Sequence, residues 1–276
     1  MITQYQNAIL FTALLCSVML LMSCGSSDVL QTLSAEERFA IGKQKFDDEE
    51  YLEAINEFQV IKLQYPASAV ADDAQLYLAE CYYAREEFLL AVEEYQSLKR
   101  LMASSPLVSQ AQHKIAMCYY SLSPRSTLDQ TYSLKAIEEF QSFIEDYKTD
   151  SLVANAEVKI HELNTRLAQK WFDTAELYIK LEYYRSATYY YDLIVEKYHD
   201  TEFAEPAHIN KVKVLVTRKK FDDAKAELGK FLERYPNSQF KGDAESLRSV
   251  IDEALKSRSS AAKSSRENNV SSNLRP

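Results

Sequence analysis

Glycine and proline are scarce, at 4 and 6 residues in a chain of 276. Strands must be joined by turns, and turns draw heavily on these two residues, so a sheet-rich fold is not expected. A basic surplus is also missing. The formal net charge is −9, whereas a nucleic-acid surface must be positive to displace phosphate counterions. A nucleic-acid partner is therefore excluded as the expectation. Histidines 113, 161, 199 and 208 are scattered. His161-Glu162 begins an H-E-x-x-H pattern, but Thr165 stands where its second histidine belongs. There is no P-loop, no G-x-G-x-x-G and no G-x-S-x-G. Carboxylates do cluster, at Asp47-Asp48-Glu49-Glu50, Asp72-Asp73, Glu93-Glu94 and Asp222-Asp223. On amphipathic segments these read as solvated faces and helix starts. No catalytic residue and no metal ligand is expected, and the chain reads as a binder rather than an enzyme.

What is present starts with one apolar run. Ala8 to Met22 is interrupted only by Thr12 and Ser17. It is too short for a comfortable membrane span and fits a cleavable export signal, although Met1 to Asn7 carry no Lys or Arg. Its end, Leu21-Met22-Ser23-Cys24, resembles a bacterial lipoprotein signal, with a small residue before the cysteine that receives lipid; Met22 is bulkier than usual there. The resemblance implies a signal peptide over 1–23, covalent lipid on Cys24 as the one attached group, and a linker over 24–34. Several acyl chains on one residue exceed the two-signal threshold for stable anchoring. Gly25 follows the cysteine in place of aspartate, which in such lipoproteins implies the periplasmic face of the outer membrane.

The rest of the chain reads as helix after helix. "YLEAINEFQVIKLQYP" (51–66), "FLLAVEEYQSLKRLM" (88–102), "SLKAIEEFQSFIEDY" (133–147), "YRSATYYYDLIVEKY" (184–198) and "FDDAKAELGKFLERYP" (221–236) align on Ala54, Ala91, Ala136, Ala187 and Ala224. Four residues on stand Phe58, Tyr95, Phe140, Tyr191 and Leu228. Seven on stand Ile61, Leu98, Phe143, Ile194 and Phe231, and eleven on stand Tyr65, Met102, Tyr147, Tyr198 and Tyr235. Offsets of this kind trace one helical face. The alanine allows a neighbouring helix close approach, and the aromatic fills the space beside it.

This is the second helix of a tetratricopeptide (TPR) repeat. Gly42 and Pro66 flank Ala54 at the family's positions. Leu78, Ala79 and Tyr82, then Ile115, Ala116 and Tyr119, then Trp171, Ala175 and Tyr178 fit its first helix. The alanine spacings are 37, 45, 51 and 37, so the array is irregular. Residues 121–131 read as a long loop and 151–183 as one helix joining two halves. The expected fold is all-α: a TPR-type solenoid of five helical hairpins, with a capping helix over 240–256 and a disordered tail over 257–276. Repeats one to three occupy 35–150, and repeats four and five with the cap occupy 151–256. Cys81 and Cys118 fall at equivalent places in neighbouring first helices, too far apart for a disulfide, and read as small core residues.

In this repeat family first helices line the concave side. The register puts Glu36, Phe39 and Lys43 there in repeat one. Repeat two supplies Asp73, Leu76, Glu80 and Tyr83, and repeat three supplies Gln110, His113, Met117 and Tyr120. Aromatic, apolar and polar groups in this mixture suit an extended peptide. About half of them are equally suited to packing between repeats, and His113 reads as a filler rather than a ligand.

Three stretches, "GKQKFDDEEYLEAINEF" (42–58), "YPASAVADDAQLYLAECYY" (65–83) and "FLERYPNS" (231–238), resemble the BamD (ComL-type) lipoprotein family. The likeness runs from residue 24 to about 256. It implies a non-enzymatic subunit of the outer-membrane β-barrel assembly machinery. The C-terminal half would dock on POTRA domains of a BamA-like barrel protein, beside other assembly lipoproteins. The N-terminal repeats would receive C-terminal strands of unfolded outer-membrane proteins, whose terminal aromatic Phe39, Leu76, Tyr83 and Tyr120 could accommodate. Alternatives are a TPR scaffold lipoprotein of another envelope complex, such as one coordinating cell-wall work, a glycan-binding lipoprotein, and a lytic transglycosylase.

Overall fold

A computed structural model describes residues 33–273, with side chains described through 261. The signal segment 1–23, Cys24 and most of the linker lie outside the described residues. Among the described residues there are eleven helices and no strand. They are α1 (Ala35–Asp47), α2 (Tyr51–Gln64), α3 (Ala71–Ala84), α4 (Phe88–Leu101), α5 (Val108–Leu122), α6 (Thr131–Asp146), α7 (Val153–Lys180), α8 (Tyr184–Lys197), α9 (Ala204–Thr217), α10 (Phe221–Arg234) and α11 (Lys241–Asn273). Taken in pairs they make five hairpins, with α11 as the cap.

Most hairpins turn by the same device. In four of the five, the first helix ends in a Schellman motif, and the residue after its C-cap takes the left-handed conformation: Glu49, Glu86, Glu182 and Lys219. The next amide reaches back to close the turn, as Glu87 N donates to Tyr82 O at 2.9 Å and Lys220 N to Leu215 O at 2.9 Å. That residue also begins the second helix. The third hairpin has no such turn because the 121–131 insertion stands in its place. Second helices all end on the offset-eleven residue, whose amide donates to the offset-seven carbonyl, from Tyr65 to Ile61 through Tyr235 to Phe231.

The aligned columns form the core. The five alanines are fully buried, and so are nearly all side chains four and seven residues beyond them. Gly42 lies against the Phe58 ring, with a would-be Cβ 2.8 Å from the ring edge. Ala79, Ala116 and Ala175, which take the same place in later first helices, are also fully buried. A second internal register ties the two helices of a hairpin to each other. Arg38 donates to Glu57 at 2.8 Å, Gln75 to the Glu94 carbonyl at 2.9 Å, Trp171 stacks on Tyr190 at 5.6 Å, and His208 Nε2 stands 2.9 Å from Glu227. All four pairs are separated by nineteen residues.

The helix α7 has 28 residues, about 42 Å at 1.5 Å per residue. Its first half seals repeat three, with Ala156 and Leu163 packed on Phe140 and Phe143. Its second half opens repeat four, with Ala168 and Ala175 packed around Tyr191 and Ile194. The array is thus interrupted at this helix. Cys81, Cys118 and Val214 are buried at one repeat position, but Leu177, their counterpart on α7, is 53% exposed. The 121–131 insertion wraps onto α7, where Arg166 donates to Ser123 O and Oγ at 3.1 and 2.7 Å, and Lys170 to Leu128 O at 2.6 Å.

Cys81 and Cys118 are free and buried. Burial pushes each thiol up to about 12. The cap helix rests Ala244 and Ile251 on Leu228 and Phe231. It does not stop at 256. The backbone stays helical to Asn273, through the stretch where a disordered tail is expected. No glycine or proline lies between Gly242 and Pro276, and a helix already nucleated on a packed turn propagates through alanine and serine without a new nucleus.

Candidate peptide-binding face

First helices place their side chains in columns fixed by the repeat. Four columns hold the candidate residues. The innermost contains Phe39, Leu76 and His113, and it belongs to the core. Leu76 is 6% exposed and joins Tyr95 and Leu98; His113 is 6% exposed and lies edge-on to Phe140 and Phe143. Neither reaches a ligand on the concave surface, and both are withdrawn from that face. The reason is the helical period: three residues before the small packing residue, the side chain aims at the hairpin's own second helix. Phe39 is half-buried, edge-on to Tyr77 at 5.7 Å and tilted on Phe58 at 5.8 Å. His113 Nε2 donates to Asn155 Oδ1 at 3.0 Å, and burial lowers its pKa.

The other columns remain accessible. Glu36 is exposed in the first turn of α1, where a carboxylate favours the helix dipole. Asp73 is partly covered, and burial followed by the neighbouring Asp72 raises its pKa. Gln110 and Met117 are half-buried, and Met117 packs against the core of repeat three. Lys43, Glu80, Tyr83 and Tyr120 enter a structured arrangement. Three lysines sit over three tyrosine rings: Lys43 over Tyr77 at 5.3 Å, Lys114 over Tyr83 at 4.8 Å and Lys159 over Tyr120 at 4.5 Å. Each lysine also meets a carboxylate, Lys43 with Asp47, Lys114 with Glu80 at 2.8 Å and Lys159 with Glu162 at 3.0 Å. Tyr120 donates to Glu162, which holds that carboxylate below its ordinary range. The result is a ladder of rings and fixed charges running across repeats one to three. It offers flat apolar surface beside N–H donors and carboxylate acceptors, the groups an extended chain needs.

Tyr77, Lys114, Lys159 and Glu162 are absent from the sequence-derived set. Two of them carried a readable signal: Lys43 to Tyr77 and Glu80 to Lys114 are both 34 residues apart, one repeat along. Lys159 and Glu162 carried none, because they lie on the half of α7 that substitutes for a hairpin.

Among the described residues, no group of His, Cys, Asp or Glu could hold a metal ion, and no helix is long and apolar enough to cross a membrane. A search of curated protein sequences gives no match. Solved structures similar to this chain include tetratricopeptide repeat proteins. The TPR2AB domain of yeast Sti1, in its pHSP90 complex, is 18% identical at a TM-score of 0.40, covering 83% of this chain and 87% of that one. A tetratricopeptide repeat protein from Parabacteroides merdae is 14% identical at 0.34, covering 80% and 76%. The apo form of RapI is 15% identical at 0.36, covering 87% and 88%. A tetratricopeptide repeat model matches residues 212–238, and the model of the YfiO family, described as outer membrane lipoprotein, matches residues 31–220. With most of the chain, including four complete hairpins, inside that match, the chain belongs to the YfiO (BamD-type) family of outer-membrane lipoproteins.

Proposed function

We propose that the chain is a non-enzymatic subunit of the outer-membrane β-barrel assembly machinery, held at the periplasmic face by lipid on Cys24. Repeats four and five, with the cap helix, dock on POTRA domains of a BamA-like barrel protein, next to other assembly lipoproteins. Repeats one to three hold the C-terminal strand of an unfolded barrel protein. The observation that carries this reading is the family match over residues 31–220. The ring-and-lysine ladder supports it: Tyr83 and Tyr120 offer flat surface to a terminal aromatic, and Lys43, Lys114 and Lys159 offer donors to a strand carboxylate.

The test is a mild-detergent pull-down of the tagged full chain from membranes, followed by mass spectrometry. A BamA-like barrel protein is expected among the captured partners, and its absence overturns the assembly role. Lipidation is tested separately by palmitate labelling of the wild type and the Cys24→Ala variant. Labelling that survives the substitution removes the anchor.

A further inference from the structure

A cavity of about 190 Å³ opens between repeats four and five, its lining including Glu176, Ile179, Tyr184, Tyr191, Asn210 and Val214. One oxygen of the Glu176 carboxylate is held in place, accepting from the Tyr191 hydroxyl and from Asn210 Nδ2 at 3.2 Å. Ile179, Tyr184 and Val214 supply apolar wall. Lys213 is drawn to the cap helix, 2.7 Å from Asp243, and leaves Glu176 without a paired cation among the described residues.

The repeat shows what such a pocket holds. Shifting repeats two and three by 96 residues lays Glu80 on Glu176, Phe88 on Tyr184, Tyr95 on Tyr191 and Lys114 on Asn210. In the earlier copy the carboxylate is neutralised from within: Lys114 Nζ lies 2.8 Å from Glu80 Oε2 and 4.8 Å from the Tyr83 ring centre. In the later copy the lysine is replaced by asparagine, shorter and uncharged. The carboxylate, the buried tyrosine and the aromatic wall remain, and the space of the missing side chain is the cavity. A positioned carboxylate beside apolar surface stabilises an alkylammonium or guanidinium by charge and by stem contact together.

We propose that this pocket is a binding site for a lysine or arginine side chain of a partner polypeptide, which enters from outside and takes the place Lys114 fills from within. The site lies on repeats four and five and is separate from the ring-and-lysine ladder of repeats one to three.

The test uses the full chain and the probe Nα-acetyl-lysine methylamide, with its ε-acetylated form as the uncharged control, read by amide chemical shifts. The charged probe is expected to move the signals of Ile179, Tyr184 and Val214, and the acetylated form to leave them in place. Asn210→Lys supplies the chain's own amine. It should keep or raise the melting temperature and weaken probe binding at least tenfold. Glu176→Gln retains an acceptor for Tyr191 but removes the charge, and should weaken binding as much, so a failure of Asn210→Lys to fold leaves the test intact. Shifts that are absent from the cavity, equal for both probes, or unchanged in Glu176→Gln overturn the proposal. None of these readouts depends on whether a BamA-like protein is the partner.

Discussion

At the scale of single residues, the small positions separate packing from propensity. Gly42 and Gly229 both lie inside helices, where glycine is less favourable than alanine by about 1 kcal/mol. At 229 nothing lies within 4 Å of a new Cβ, whereas at 42 the buried Phe58 ring stands 2.8 Å away. Gly229→Ala should stabilise the chain by ~0.5–1 kcal/mol. Gly42→Ala should destabilise it, because overpacking costs about 1–3 kcal/mol and outweighs the same gain. Urea unfolding of the two variants checks the opposite signs. His113 carries a pH dependence. Burial favours its neutral form in the folded state, so on acidification through the ordinary histidine range the unfolded chain takes up the proton first. Stability from this residue is complete at neutral pH and declines as pH falls toward the lowered folded value. His113→Gln should flatten that part of the stability–pH curve. An unchanged slope would show that the decline comes from other groups.

At the scale of elements, the hairpin turns and the insertion are the informative pieces. Glu86 holds a left-handed backbone that an L side chain adopts at a cost of about 1–2 kcal/mol. It is exposed, so Glu86→Gly should raise stability by about 1 kcal/mol through relief of that cost. A loss on thermal melting would mean that the glutamate side chain contributes more than its backbone costs. The 121–131 insertion is held by Arg166 and Lys170 on α7. Arg166→Ala should speed hydrogen exchange across 123–130 while leaving α5 and α6 protected, since the hairpin's own columns do not involve Arg166. Legibility differed between these elements. The second helices were readable because every copy presents the same small and aromatic offsets. The insertion was readable only as extra length: its packing depends on α7, more than thirty residues further along the chain.

At the scale of the whole molecule, stability propagates from hairpin to hairpin, and the ends need covers. The cap helix buries Ala244 and Ile251 against Leu228 and Phe231. Truncation after Gln239 should therefore lower the melting temperature clearly and expose apolar surface to dye. Truncation after Arg258 should change little, because the contacts of α11 with the core end near Leu255. Equal effects from the two truncations would refute a cap confined to the first turns of α11. The same one-dimensional logic explains α7. Where one helix serves as the cover of repeat three and the opening of repeat four, the solenoid leaves Leu177 exposed, whereas Cys81, Cys118 and Val214 at the same repeat position are buried.

Periodicity alone determined the helical class, the five hairpins, their second-helix core and the separation of the two cysteines, because these follow from offsets along a single helix and repeat with the chain. Tertiary packing decided what periodicity could not carry. It buried Leu76 and His113 in a register that places them beside the more accessible Glu80 and Met117, set lysines over tyrosines one repeat away, and left a cavity where asparagine replaces lysine. Each of these depends on which side of a helix faces its neighbour and on how far a side chain reaches across the gap. Only the packed hairpins set that distance.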